Sequence, residues 1–378
     1  MTDLSVAAAS PPEPSLQRLS PGHAGGEVAR ALLQVGFDDA RYRQDYPDLA
    51  KLGPEVAAWH YHVAGRAEGR RAHFRLPWRV AEAKAQVLSL PAQEERLLRQ
   101  DIALARLGEA DVYGRDLEAF GELSRPHELW RPLVIVSDSH GQFYLAQEVL
   151  RRADLLPVPF LNTGASARGL MNPNSRGGHG SRILQMLEAR GERLAHATVL
   201  FKFGQVDLEF VYDFQRIHSG QTAFDLAAAS DFARESARRY AEFLRQARAA
   251  TSARIVVSSA LPPTLSDAAL RQGVVNGHIA HLHAEADIEA LAAGLARLDM
   301  PDQPTRTGLA RTFNTTLQSA CAELGLAFLD DFNPLLGPEG VIAPELIAWH
   351  GGSDHHIPWL CPDSRRAAGE LALRIASL

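Results

Sequence analysis

The chain predicts an α/β fold of three layers, α/β/α, built on a parallel sheet, with a small all-α module in front of it. Two observations predict the sheet. After Pro132, short continuous apolar runs alternate with helical stretches, the pattern of parallel strands covered on both faces. Small polar clusters stand directly after those runs, where ligands bind in such sheets. A third observation predicts the module. Aromatics recur at Phe37, Tyr42, Tyr46, Trp59 and Tyr61, within helical spacings broken by Pro47 and Gly53-Pro54.

The elements follow in order. Residues 1–24, rich in Ala, Ser and Pro, predict disorder. Residues 25–75 predict two or three short helices packed on the aromatic rings, with His60 and His62 among them. Residues 76–130 read as a helical linker with a wide charged face. Residues 131–378 form the α/β domain. Its strands are expected at Leu133–Val136, Val158–Leu161, Thr198–Phe203, Arg254–Ser258 and Leu326–Leu329. Its helices are expected at 141–153, 180–193, 223–249, 307–324 and 363–377. The segment 262–305 is longer than an ordinary connection and reads as a partly helical insertion near the mouth of the site. Lys202, inside an apolar strand, is expected to snorkel at the sheet edge, or else to meet an anionic substrate group.

Composition narrows the function. The chain has 378 residues, room for one large domain and something smaller. A net charge of −6 gives no basic excess for nucleic acid. No run of about 18 apolar residues predicts a membrane span. The stretch MTDLSVAAASPPEPSLQRLSPG has no charged n-region or apolar h-region, so no secretory signal is expected. Two cysteines, Cys321 and Cys361, predict free thiols in a reducing compartment. A cytoplasmic location is the resulting expectation.

The first strand, in LVIVSDSHGQ, runs into Ser137-Asp138-Ser139-His140-Gly141. A serine hydroxyl is a weak nucleophile. It needs a base in hydrogen-bond reach, a carboxylate to orient that base, and N–H donors for the developing oxyanion. The stretch HGGSDHHIPWLCP, just before the last helix, supplies Asp354, His355 and His356. NTGASARGL, after the second strand, supplies small residues and open backbone amides. FKFGQVDLEF, at the third, supplies Gln205 as an amide donor and Asp207 as an orienting group.

Together these blocks resemble the SGNH (GDSL-like) hydrolase family over roughly residues 131–378. The resemblance implies a flavodoxin-like sheet, with Ser139 as nucleophile, His356 as base and Asp354 as its orienter. It implies an oxyanion hole from the Ser139 amide and from Gly164 or Ala167, with Gln205 a possible third donor. This chain departs from the family's pattern in several places. Ser137 replaces the glycine of the first block. The second-block glycine falls at Gly164 or at Ala167, depending on the alignment. Val206 replaces the third-block asparagine and leaves Gln205 one position away. Asp354 stands two residues before His356 instead of three. The family's histidine precedes an apolar residue, which favours His356 over His355.

Other residues keep two readings. Asp207 is an orienting group or a plain helix cap. His140 contacts the substrate or lies at the surface. Arg168, Asn172, Asn174, Arg176 and His179 form a solvated loop or line a sugar pocket. His278, His281 and His283 do not share one helical face, and no metal is expected. No cofactor is expected either, save an acyl donor if the protein is a transferase.

A second resemblance covers about 35 residues of the N-terminal module. The run Phe37-Asp38, Tyr42, Tyr46-Pro47-Asp48-Leu49, His60-Tyr61, Gly65 and Glu68-Gly69-Arg70 looks like a short module found beside bacterial glycosyltransferases. It implies a carbohydrate setting and glycan-synthesis proteins as partners. The expected function is a serine esterase that removes acyl groups, acetyl above all, from a carbohydrate or glycan precursor through an acyl-enzyme. The alternatives are a carbohydrate O-acyltransferase of bacterial polysaccharide synthesis and a non-catalytic glycan-binding protein.

Overall fold

All five apolar runs after Pro132 are strands of one parallel sheet. The computed structural model describes residues 23–272 and 288–378. Residues 1–22 of the segment expected to be disordered lie outside the described residues. So do His278, His281, His283 and the middle of the 262–305 segment. The strands are β1 (Arg131–Ser137), β2 (Leu155–Leu161), β3 (Thr198–Lys202), β4 (Arg254–Ser258) and β5 (Ala327–Leu329). Their order is β2-β1-β3-β4-β5, the flavodoxin-like arrangement. β2 begins at Leu155, earlier than its apolar run suggests, and carries Pro157 and Pro159. Both lack an N–H, which an edge strand tolerates.

The two faces of the sheet read directly from strand alternation. Leu133, Ile135, Leu200 and Val256 join one apolar cluster with Val149 of the helix Gln147–Ala153 and with Ala368, Leu371 and Ile375 of the helix Pro362–Ser377. On the other face the Phe201 ring meets Phe243 at 6.3 Å, and the helices Leu226–Ala249 and Gln303–Leu324 pack together. The helix Leu226–Ala249 buries Phe232, Ser236, Tyr240, Phe243 and Ala247, spaced three and four apart. Asp225 accepts two backbone N–H groups at its start.

Two expectations change. The stretch 141–153 is not one helix: a 3₁₀ helix, Ser139–Leu145, precedes the α-helix Gln147–Ala153. The tight turn carries Gly141 over the end of β1, where a Cβ would meet the Ser137 side chain at 2.5 Å. Lys202 is not at the sheet edge. It ends the central strand β3, is buried, and its Nζ donates to Ser258 Oγ (3.1 Å), the Ser259 carbonyl (2.6 Å) and Asp331 Oδ2 (2.9 Å). Tyr144 and Ser258 donate to the same Asp331 oxygen, at 2.7 and 2.5 Å. A charged head this deep in the sheet is held by a carboxylate and not by solvent.

The chain divides into two compact units, up to Ala105 and from Arg106 onward. Short helices make up the first: His23–Gln34, Asp39–Asp45, Pro54–His60, Trp78–Gln86 and most of Ala92–Glu109. Its core contains the rings of Phe37, Tyr42 and Tyr61, with centroids 5.4–5.5 Å apart. His60 Nδ1 lies 3.2 Å from the Tyr42 hydroxyl, as its place among the rings suggests. A buried pair, Arg66 with Asp101, takes the Tyr61 hydroxyl as a further donor at 2.8 Å. Cys321 and Cys361 are free and buried. No described helix is long and apolar enough to cross a membrane.

Candidate active site

The end of β1 sets the first component. Asp138 caps the 3₁₀ turn, its Oδ1 accepting the His140 N–H at 2.9 Å, and its own N–H donates to the Lys202 carbonyl at 3.3 Å. Ser139 opens the turn and is 7% exposed. Its Oγ lies 2.8 Å from Nε2 of His356, a residue 217 positions later. His356 Nδ1 lies 2.8 Å from Asp354 Oδ1. The same oxygen accepts the His356 backbone N–H at 2.9 Å.

That double contact explains the short spacing. Asp354 folds back over its own chain, as Asp does in turns, and caps the amide and the ring two residues ahead together. Partial burial alone would raise the Asp354 carboxyl. The His356 hydrogen bonds and charge outweigh it and hold the carboxyl well below the usual range.

Sequence reasoning missed what holds this loop. His350 Nε2 donates to the His356 carbonyl at 2.9 Å, while its Nδ1 accepts the Gly352 N–H at 3.1 Å. Gly351 and Gly352 have φ of +57° and +81°, so the turn needs glycine. Thr264 Oγ1 donates to the Asp354 carbonyl at 2.8 Å. The only signal was the run His350-Gly351-Gly352 itself.

His355 packs against His356 and has no hydrogen bond to the serine. Its ring lies 3.8 Å from that of His356 and 5.3 Å from Phe210, centroid to centroid. Burial, helped by the nearby His356 and His140 charges, pushes its pKa down to about 2, so the ring is neutral. His140 is neither at the surface nor open to a substrate. It is 3% exposed, with Nδ1 3.0 Å from Asp138 Oδ1 and Nε2 donating to the His355 carbonyl at 3.0 Å. Two acceptors suit an imidazolium; burial pushes the ring the other way, toward neutrality. His140 therefore ties the turn that carries Ser139 to the loop that carries His356.

These three histidines form a cluster with ligand atoms within 4.8 Å of one another, as a metal site would require. Both nitrogens of His140 and of His356 already have partners, and a metal on His356 Nε2 would displace Ser139.

The amides expected around the oxyanion separate. Asn162 N–H donates to the Ser137 carbonyl at 2.6 Å, which sets the ends of β2 and β1 side by side. Gly164, two residues beyond, has φ +75°. Among the described residues, neither the Ser139 nor the Gly164 N–H donates to a protein acceptor. Ala167 does not fill this place: its N–H goes to Asp207 Oδ2 at 2.5 Å. Asp207 also accepts the Arg168 N–H at 3.1 Å. It thus anchors the loop after β2 and orients no histidine. Burial raises its pKa to about 7, against these two N–H bonds.

Gln205 is committed as well. Its Nε2 donates to Glu209 Oε1 at 2.7 Å, and its Oε1 accepts the Leu261 N–H at 2.9 Å. Glu209, four residues on, has its pKa raised to about 8 by burial. Val206 is fully buried in a cluster with Phe210, Phe214 and Leu291. The Gln205 amide is thus held between Glu209 and Leu261, and Val206 offers no amide.

A cavity of about 380 Å³ opens beside Gly164, lined by Arg168, Asn172, Asn174, Arg176 and His179 of the following loop.

No family model matches the chain, and no curated protein matches it. Among solved structures it is similar to a GDSL-like lipase from Bacteroides thetaiotaomicron, at TM-score 0.39 and 12% identity over 70% of this chain and 98% of that one. It is similar to a candidate acylhydrolase from Bacteroides fragilis, at TM-score 0.39 and 10% identity over 70% and 94%. A candidate platelet activating factor structure from Streptococcus pneumonia gives 0.40 and 13% over 76% and 100%. These likenesses are distant, and the chemistry of the site rests on its side chains.

Proposed function

We propose that this chain is a serine esterase of the SGNH type, acting on ester-linked acyl groups of a carbohydrate. One observation carries the reading: the unbroken contact from Ser139 Oγ through the His356 ring to Asp354, over 2.8 Å and 2.8 Å. Ser139 Oγ attacks the ester carbonyl and gives its proton to His356 Nε2. Asp354 keeps Nδ1 protonated and stabilises the imidazolium. The Ser139 and Gly164 N–H groups take the oxyanion. His356 then hands its proton to the leaving sugar oxygen, and the acyl group stays on Ser139. Water, deprotonated by His356, releases the acid and restores the serine.

A hole without a side-chain amide has one donor fewer, worth about 3–4 kcal/mol in transition states of this kind. Slow turnover is therefore expected. The carbohydrate assignment draws on the polar cavity beside Gly164 and on the resemblance of residues 37–70 to a glycan-associated module. If a sugar hydroxyl replaces water in the second step, the same residues carry out acyl transfer.

A fluorophosphonate probe tests the reading. It should label Ser139, located by peptide mass spectrometry, and Ser139→Ala should abolish both labelling and hydrolysis of p-nitrophenyl acetate. Equal hydrolysis by wild type and variant would refute it. Adding an oligosaccharide acceptor, and following acetylated sugar against free acetate, separates transfer from hydrolysis.

A further inference from the structure

The cavity beside Gly164 has a chemical character that an esterase does not need for its chemistry. Arginines 168, 176 and 239 line it, together with asparagine, serine, glutamine and histidine, and no carboxylate stands in its wall among the described residues. Arg168 and Arg239 reach it from different elements, one from the loop after β2 and one from the helix Leu226–Ala249.

We propose that this cavity binds an anionic group, a carboxylate or a phosphate, carried by the substrate next to the ester that Ser139 attacks. The word substrate rests on the esterase reading; the anion site itself does not.

Arg168 is the central observation. Its guanidinium lies 4.4 Å above the Phe232 ring and donates to Ser236 Oγ at 3.4 Å. These contacts fix its plane and leave its charge unpaired: among the described residues no carboxylate is within ion-pair distance of it. Burial and the charge of Arg239 lower its pKa, and the charges of Asp207 and Glu235 offset this only in part. Arg239 is paired with Glu235 at 2.8 Å, so that acid is already engaged. Asp207 touches only the Arg168 backbone, and with a pKa near 7 it is only partly ionised at neutral pH. An oxyanion with two or three acceptor oxygens supplies what is missing, because a planar guanidinium matches carboxylate and phosphate.

The walls are built closely. A Cβ on Gly177, which lines the cavity, would meet the His179 ring at 2.2 Å, and one on Gly180, which does not line it, would meet the carbonyl of the lining Leu170 at 1.9 Å. Glycine at these positions lets the loop close on itself. Gly164 lines this cavity and, in the proposed mechanism, also donates to the oxyanion, which would put an anion bound here next to the reacting ester. Asn172, Asn174 and Ser175 add groups that match sugar hydroxyls. An acidic sugar or a sugar phosphate fits this combination.

Calorimetric titration of the full chain bearing Ser139→Ala, which cannot turn over, tests the site. The probes are trigalacturonate, glucose 1-phosphate and maltotriose. At least one acidic probe should bind about tenfold or more tighter than maltotriose, a difference of about 1.4 kcal/mol. Its affinity should fall with added salt. Arg168→Gln and Arg239→Gln should each weaken it about tenfold, while Arg234→Gln, on the same helix but outside the cavity, leaves it unchanged. Binding of trigalacturonate alone assigns the site to a carboxylate, and of glucose 1-phosphate alone to a phosphate. Maltotriose binding as well as the acidic probes, no acidic probe binding at all, or arginine variants that match the parent would overturn the proposal. Failure of wild-type Ser139 to react with fluorophosphonate would sink the esterase reading and leave this result standing.

Discussion

Asp354→Asn isolates the part of the site that departs furthest from its family pattern. The carboxylate is 53% exposed, and one of its oxygens serves both the ring and the backbone N–H of His356. Asparagine keeps an acceptor there and removes the charge. The imidazolium formed during attack lies with its charge centre roughly 4 Å from the carboxylate. Such a pair is worth about 1 kcal/mol in water and about 4 kcal/mol near a protein surface. With half the side chain in solvent, about 2 kcal/mol is the reasoned value, after discounting for screening. That is about a thirtyfold loss in kcat. It falls short of the roughly ten-thousandfold loss seen where an amide turns its NH₂ to the ring and fixes the wrong tautomer. Here the His356 backbone N–H needs the same oxygen and opposes that flip. Hydrolysis of p-nitrophenyl acetate by the variant, with Ser139→Ala as the floor, measures the effect. A rate within twofold of wild type would show that Asp354 does not act on the ring. A loss beyond a thousandfold would contradict the shared-oxygen argument.

Three further outcomes are expected. Lys202→Met leaves Asp331 buried without its cation and should cost about 3–5 kcal/mol in urea unfolding; a loss under about 1 kcal/mol would mean that Tyr144, Ser258 and Ser259 alone satisfy the carboxylate. Gly164→Ala forces a side chain into φ +75°, costing about 1–2 kcal/mol and moving the free N–H, so kcat should fall more than tenfold; unchanged kcat would remove Gly164 from the oxyanion hole. His355→Phe tests the buried neutral ring. The unfolded chain protonates this histidine below pH about 6.5, whereas the folded chain waits until about 2. The stability it contributes is thus complete above about 6.5 and is lost as pH falls toward 2. The variant should lose less stability than wild type on acidification across that window; parallel pH profiles would refute the burial argument.

How far the sequence could be read depends on whether a residue's partner is local. The strand runs, the polar cluster at the end of β1 and the late Asp-His-His loop were legible, because each is a pattern within a dozen residues. The two-residue spacing of Asp354 and His356 looked like a defect against the family pattern. It was open to a local reading, since an aspartate that caps the amide two residues on is already placed beside that residue's ring. Gln205 stays open in the sequence for the opposite reason. An amide near the right position is available to the substrate only if nothing nearer claims it, and Glu209 lies four residues along the same helical run.

Lys202 was illegible in kind. Its reading turned on which strand is central, a property of topology, and on Asp331, 129 residues away. The loop after β2 lies between these cases. Its composition gave polar residues without saying whether they face solvent or one another. What decides is Arg168, whose charge is set by a ring and a neighbouring arginine brought from the helix Leu226–Ala249. A site assembled from one loop and one distant helix shows in sequence only as a surplus of arginine. The surplus becomes an argument once Arg239 is seen to hold the helix carboxylate, Glu235, and Arg168 to have none within ion-pair reach among the described residues.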